Sequence, residues 1–437
     1  MQGKIHFIGI GGIGMSALAR YHAAKGWTVS GSDMGESELV ADLRREGIAI
    51  SIGHAAKNVP RGVTRVVRSA AIRTENSELR EARARDYEVR SYAEALGELT
   101  KQYVTLAISG AHGKSTTTAL LALMLVKAKL DPTVIIGTRL AEFGGSNMRM
   151  GKSRYLVIEA DEYDRSFFQY APAVVAITNV DAEHLDTYGN LAGVIAAFRQ
   201  YIGALPKGAT AVINADDENS VKAAKGAACH VVMFNKKGRL PAPWPLKVPG
   251  RFNQLNAEAA YQVARTVGVT KKVAADAVRA FCGSWRRMEP LVPLVAGTWP
   301  KATFFSDYAH HPNEIKATIG ALREKYPRRK LLVIFQPHHR DRLTRLFKDF
   351  TTAFEGVTHI ALLPVYEVAG RESGEGKTTE DLYAAIAKRQ SASYLKNFDE
   401  ARTLIDGQVV VFMGAGSIDR DARKHFSSGL FKAKELK

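Results

Sequence analysis

Short aliphatic and β-branched runs alternate with amphipathic stretches of helical length through almost the whole chain, the pattern of βαβ units with buried parallel strands. A first strand is predicted over Lys4–Ile8, then a helix near Gly14–Lys25 and a second strand over Thr28–Ser32. The pattern weakens after Glu94, which places a boundary near residue 97. A second set opens with Tyr103–Ser109 and adds apolar strands at Val134–Ile136, Tyr155–Ile158, Val174–Thr178 and Ala211–Asn214. Between Lys236 and Gly250 four prolines, with Gly238 and Gly250, interrupt any period, so a loop is expected. Two helices should follow, over Asn253–Val267 and Lys271–Cys282. A third set carries strands at Phe304–Ser306, Leu331–Phe335, His359–Pro364 and Val409–Met413. The expected fold class is α/β throughout, in three domains spanning 1–97, 98–290 and 291–437, with no internal repeat.

Composition narrows the class. At about 150 residues per domain, 437 residues also suggest three domains. An apolar fraction of 46% with 24% charged residues excludes a disordered or fibrous chain. Cys229 and Cys282 have no CxxC spacing, so neither a disulfide framework nor a cysteine zinc site is expected. No apolar run reaches the roughly 18 residues of a spanning helix, and the N-terminus does not read as a leader, so we expect no membrane insertion and a cytoplasmic protein. With 61 Lys and Arg against 44 Asp and Glu the net charge is +17, a field that attracts anions. The basic residues are dispersed and form no aromatic-basic motif, which favours small phosphates over nucleic acid.

Two loops suit such phosphates. Residues His6–Gly14 read HFIGIGGIG, with Gly9, Gly11 and Gly14 in GxGxxG spacing between a strand and a helix, and Asp33 closes the next strand where a ribose-binding acid belongs. This loop alone does not choose between NAD and another nucleotide diphosphate. The second loop, Ser109–Thr116, reads SGAHGKST and again joins strand to helix. Lys114 can reach β- and γ-phosphates, Ser115 can hold Mg2+, and successive backbone N–H groups can cradle oxygens. It is a shortened P-loop, because Ile108 stands where the longer pattern has its first glycine. Glu159–Asp164, EADEYD, ends an apolar strand and can face a P-loop metal across a parallel sheet. A further strand leads into Asn179–Asp186, NVDAEHLD, which can supply His184 as a ligand of a second metal.

As a set these motifs resemble the Mur ligase family of peptidoglycan synthesis. The resemblance rests on HFIGIGGIGMS, on SGSD ending at Asp33, on GAHGKSTTT, EADEYDRSF and TNVDAEHLDTY, on GRFNQLNA, on WRRME with Arg286 and Arg287, and on SDYAHHP. It covers all three expected domains in the family's order. It implies a Rossmann-like N-terminal domain for UDP-N-acetylmuramate, a central P-loop domain for ATP, and a Rossmann-like C-terminal domain that brings the amino acid. By resemblance, Gly9, Gly11, Gly12, Gly14, Ser32 and Asp33 would bind the UDP sugar. Gly110, His112, Gly113, Lys114, Ser115 and Thr116, with Asn253, Asn256, Arg287 and Asp307, would bind ATP. Ser115 and Glu159 would hold one Mg2+ and His184 the other, and His311 and Arg342 would join Lys114, Glu159 and His184 in catalysis. The implied reaction phosphorylates the sugar's carboxylate with ATP and lets an amine displace phosphate, with L-alanine the leading acceptor, in a monomer or homodimer.

Departures from the family keep alternatives open. Ala111 replaces a usual threonine and Ser306 a usual aspartate, while QPHHRDR over Gln336–Arg342 stands where the family has QPHRYTR. Only Arg342 is kept at the far end of that segment, so another amino acid or a peptide remains an alternative acceptor. A noncatalytic nucleotide-binding relative and an NAD dehydrogenase are rival readings; the latter leaves the P-loop unexplained. His310, His311, His338 and His339 form two adjacent pairs, read here as lying on neighbouring strand ends. Adjacent strand residues face opposite ways, which leaves too few histidines on one side for a zinc site.

Overall fold

The computed structural model describes residues 3–235, 243–367 and 376–430, so residues 236–242 of the expected proline-rich loop lie outside the described residues. The architecture is α/β with three sheets, and the chain divides into two compact units, Met1–Pro245 with Gln254–Ala280, and Leu246–Asn253 with Phe281–Lys437.

The first unit holds two sheets. The N-terminal one is fully parallel, in the spatial order Ala49–Ile52, Thr28–Asp33, Lys4–Ile8, Arg65–Arg68, Glu88–Ser91. The first strand is central, so the chain winds outward to both sides from it and a crevice opens at its carboxyl end, where open α/β sheets take ligands. Ile5, Phe7 and Ile8 are fully buried there. The second sheet runs His230–Phe234, Thr210–Asn214, Val174–Ile177, Val104–Ser109, Tyr155–Glu159, Thr133–Leu140, Ser146–Arg149, all parallel except the last. Val104–Ser109 therefore ends between Val174–Ile177 and Tyr155–Glu159, which brings the P-loop and both acidic segments to one edge. Helix Lys114–Lys127 is buried on every side from Ser115 to Leu125, which explains why it shows no polar face.

The two sheets are joined by a polar clamp. Arg20, on helix Ile13–Ala24, donates to Glu46 (2.7–3.0 Å) and to Asn147 Oδ1. Asn147 in turn donates to Ile13 O at 2.6 Å and Ser16 Oγ at 2.9 Å. Helix Tyr92–Thr100, started by a capping box of Ser91 and Glu94, runs across the boundary expected near residue 97.

The second unit is built on a mixed sheet, Ala392–Tyr394, His359–Leu362, Leu331–Phe335, Val409–Met413, Thr303–Asp307, Glu289–Pro293, Phe426–Ser428, in which Glu289–Pro293 runs antiparallel to both its neighbours. Val409–Met413 separates Leu331–Phe335 from Thr303–Asp307. The two histidine pairs therefore do not follow neighbouring strands, and both lie past the strand ends, where strict alternation of faces no longer applies. Cys229 and Cys282 are both free thiols, and among the described residues no helix is long and apolar enough to cross a membrane.

Candidate active site

The glycine loop leaves Lys4–Ile8 at the crevice of its sheet. Gly9 sits at φ +81, a conformation open to glycine, and the amides of Gly9 and Ile10 both donate to Ser32 O at 2.9 Å. Gly11 N donates to Asp33 Oδ2 at 2.8 Å, so the carboxylate that ends the second strand holds the loop. A Cβ on Gly11 would lie 2.9 Å from that oxygen, and one on Gly14 2.6 Å from the Tyr92 ring; packing within the chain accounts for glycine at both. Gly12 has only contacts of 3.6 Å or more and begins helix Ile13–Ala24 without a side-chain cap. Ser32, expected to contact the UDP sugar, lies in the second strand beside this loop. It is fully buried and its hydroxyl donates to Glu78 Oε2 at 2.6 Å. Glu78 is the hub of a buried cluster that also takes His6 Nε2 (3.1 Å), His54 Nδ1 (3.2 Å) and Asn58 Nδ2 (2.9 Å).

The P-loop is shaped from outside itself. Gly110 (φ +122) and Gly113 (φ +83) would each drive a Cβ into a neighbour, Thr178 and Asn256 respectively. Asn179 grips the loop three ways. Its Oδ1 accepts from His112 N (2.9 Å), its Nδ2 donates to His112 O (3.0 Å), and its carbonyl accepts from Ala111 N (3.0 Å). His112 reaches Asp181 Oδ2 at 3.0 Å.

Lys114 Nζ donates to Gly110 O (2.7 Å) and Glu162 Oε2 (2.9 Å), with Asp161 at 3.9 Å. Burial works against its charge, but Asp161 and Glu162 outweigh burial and hold the ammonium above the usual lysine range. Ser115 Oγ donates to Glu159 Oε2 at 3.1 Å, and Glu159 Oε1 accepts from Gly137 N at 2.6 Å. Burial pushes the Glu159 carboxyl up, against the Gly137 amide and Lys114.

His184 lies beside Glu162 (Nε2 to Oε1, 3.7 Å) and against the Tyr163 ring. Asp161, Glu162 and His184 offer ligand atoms within 4.8 Å of one another, and Glu162 Oε1 is buried without a hydrogen bond. Two of these groups are carboxylates, whose oxygens suit Mg2+. Asp164, Arg165 and His184 all have left-handed backbone (φ +51, +55, +52), strain gathered around this one cluster.

In the second unit Asp307 is buried and doubly held, accepting from Met288 N (2.7 Å) and Ala309 N (2.8 Å); burial raises its carboxyl while Arg287 opposes. Arg287 pairs with Glu314 at 3.5 Å and covers the Tyr308 ring. His311 is the N-cap of helix Pro312–Lys325, its Nδ1 accepting from Asn313 N at 3.3 Å. Asn253 donates to Pro249 O at 2.6 Å. His310 and His338 face each other, ring centres 5.9 Å apart, and His338 stacks on Tyr366. Arg342 lies in helix Arg340–Arg345, close enough to His338 to disfavour its protonation.

Residues 4–104 match the Mur ligase family catalytic domain, 108–244 the Mur ligase middle domain and 286–416 the Mur ligase glutamate ligase domain. The chain belongs to the Mur ligase family. It is 37% identical to the UDP-N-acetylmuramate–L-alanine ligase of Aquifex aeolicus, over 95% of this chain and 96% of the relative. It is 35% identical to that of Clostridium acetobutylicum, over 95% of each. Among solved structures it is similar to UDP-N-acetylmuramate-alanine ligase MurC of Thermotoga maritima, with a TM-score of 0.81, 26% identity and 99% of both chains covered.

Within this Mur ligase the structure brings Lys114, Ser115, Glu159 and His184 to one sheet edge, with Asn256 against Gly113. Sequence reading did not single out Asn179, Glu162, Tyr92 or Glu78. The first two lie inside motifs already quoted, but their partners are 67 and 48 positions away, a separation no local pattern reports.

Proposed function

We propose that this chain is the ATP-dependent ligase that joins the carboxylate of UDP-N-acetylmuramate to L-alanine through an acyl phosphate, in cytoplasmic synthesis of the peptidoglycan precursor. The observation that carries the reading is the Lys114–Glu162 pair beside Ser115 and Glu159, at the carboxyl edge of the central sheet. The curated relatives named above support the substrates. Domain limits near 97 and 290 remain the working division, and a monomer or homodimer would suffice.

A carboxylate resists attack by an amine until one oxygen becomes part of a good leaving group, which is what phosphorylation provides. Lys114 presents a fixed cation to a transferring phosphoryl group, and Asn179 keeps the loop amides converging on its oxygens. Ser115, Glu159, Glu162 and His184 are the groups that would hold Mg2+, which when bound neutralises phosphate charge. Gly12 and the uncapped start of helix Ile13–Ala24 would receive the uridine diphosphate, with Asp33 and Gly9 fixing the turn. Asn253, Asn256, Arg287 and Asp307 would bound the ATP nucleoside, the last two as a cation and a carboxylate already oriented by Glu314 and backbone amides.

The altered segment also fits L-alanine. Arg340, which is new relative to the family, is paired with Glu367 at 3.0 Å, so it adds an ion pair to this region and not a lone charge. Phosphate release from ATP, measured with UDP-N-acetylmuramate and a panel of amino acids and short peptides, tests the reading. L-Alanine should give the highest kcat/KM, and no release with any acceptor would end it.

A further inference from the structure

A cavity of about 1010 Å³ opens at the C-terminal end of helix Ile13–Ala24, bounded by helix Tyr92–Thr100 and the turn 150–154. The glycine loop lies at the opposite end of that helix, about 18 Å away for 12 residues at 1.5 Å each. None of the nucleotide motifs lines this cavity. Its size fits a small-molecule site.

Its walls have a definite chemistry. Trp27 and Tyr103 supply partly exposed aromatic surface, and the buried Tyr21 beside them is hydrogen-bonded to the Tyr103 hydroxyl at 3.1 Å. Lys25, Lys152 and Arg154 line it with exposed side chains. The carboxylate in the wall, Glu98, is already held by Arg65 at 2.9 Å and Arg90 at 2.8 Å, and Arg65 also pairs with Glu88. His22 adds no charge near neutral pH, since burial and Arg65 push it down to about 4. The net field in the cavity is positive, beside flat apolar faces.

We propose that this cavity binds a planar aromatic anion, a ring system carrying a phosphate, sulfonate or carboxylate, at a site separate from both phosphate loops. Ring faces would stack on Trp27 and Tyr103 while Lys25, Lys152 and Arg154 hold the anion.

Calorimetric titration of the whole enzyme with 1-naphthyl phosphate, while UDP-N-acetylmuramate and a non-hydrolysable ATP analogue are kept saturating, tests this. One binding event should persist under those conditions. Its affinity should fall at least tenfold in the K152A/R154A double variant, at least tenfold in Trp27→Leu, and at least tenfold when neutral 1-naphthol replaces the phosphate. Lys152 and Arg154 are exposed, so the double variant removes charge without touching the core. Loss of binding in the presence of the two active-site ligands, equal affinity in the double variant, equal affinity for naphthol, or no binding at all would each overturn the proposal.

Discussion

Lys114 and Glu162 form a buried ion pair, Nζ to Oε2 at 2.9 Å, in which the carboxylate is 1% exposed. The lysine begins the P-loop helix and the glutamate follows strand Tyr155–Glu159, so the P-loop ammonium is set in place by the acidic loop of the adjacent strand. Glu162 also faces His184 at 3.7 Å. One carboxylate thus connects the P-loop to the metal-type cluster.

This geometry changes what replacing the lysine does. On the proposed role of Lys114 at the transferring phosphoryl group, Lys114→Ala should lower the rate of ligation by roughly 10²–10³ or more. It also strands a buried carboxylate, which costs about 3–5 kcal/mol when one partner of a buried pair is lost. Thermal unfolding should show a clearly lowered midpoint for Lys114→Ala. The K114A/E162Q double variant should recover most of the midpoint and none of the activity. An unchanged midpoint in the single variant would mean that the pair is not buried in solution.

Asn179 should act on ATP through the loop it grips. Asn179→Ala leaves His112 N without its acceptor and His112 O without its donor, while the backbone bond from Ala111 N remains, and this lets the loop amides move, so KM for ATP should rise at least tenfold with KM for the sugar nucleotide little changed. Asn179→Asp keeps the acceptor for His112 N and loses the donor to His112 O, and should fall between the two. Equal changes in both KM values would show a general loss of structure instead.

The central strands are legible because a parallel strand covered on both faces reads as an unbroken apolar run, as in Leu331–Phe335. The edges are not. The edge strand Glu88–Ser91 and its neighbour Arg65–Arg68 are four residues each and carry charges that break the apolar run, and Glu289–Pro293, one strand in from the edge of its sheet, carries two prolines. The P-loop was readable as a local motif between strand and helix. Its grip by Asn179 and the burial of Ser32 against Glu78 were not, because each depends on pairing between distant segments. The histidine pairs misled for a related reason: alternation describes strands, and these residues sit beyond them.

The Glu78 cluster should make stability depend on acid. Burial raises the carboxyl, but hydrogen bonds from His54, His6, Ser32 and Asn58 win and hold it well below the usual carboxylate range. A group whose folded pKa is depressed contributes stability that is present above its unfolded pKa, near 4.5, and is lost as pH falls through the folded value. Unfolding midpoints should therefore drop more steeply below pH ~4.5 in the parent than in Glu78→Gln, and the Glu78→Gln protein should be the less stable of the two at pH 7. Parallel curves for the two proteins across that window would remove Glu78 as the source.

The acceptor's carboxylate needs a cation that stays charged while the amine is neutral enough to attack. His338 does not supply it. Burial first, and then the charges of His310, Arg342, His339 and Arg286, push the imidazole down to about 3, so it is uncharged at any pH at which the amine reacts. Arg340 is engaged by Glu367. Arg342 lies on the same short helix and close to His338, and a guanidinium can hold a carboxylate with two parallel hydrogen bonds. Arg342→Lys retains the charge and loses that fork, so KM for L-alanine should rise at least tenfold while KM for ATP stays within twofold. Steady-state kinetics with each substrate varied in turn measure both. The same variant should narrow the preference for L-alanine over a neutral amine of similar size, because the lost interaction is with the carboxylate alone. If both KM values rise by the same factor, Arg342 supports the domain and does not read the acceptor. The carboxylate would then have to be held by another cation of this unit, with Arg286 the first to test, since it covers the Tyr308 ring at 4.6 Å and donates to Gly414 O at 2.7 Å.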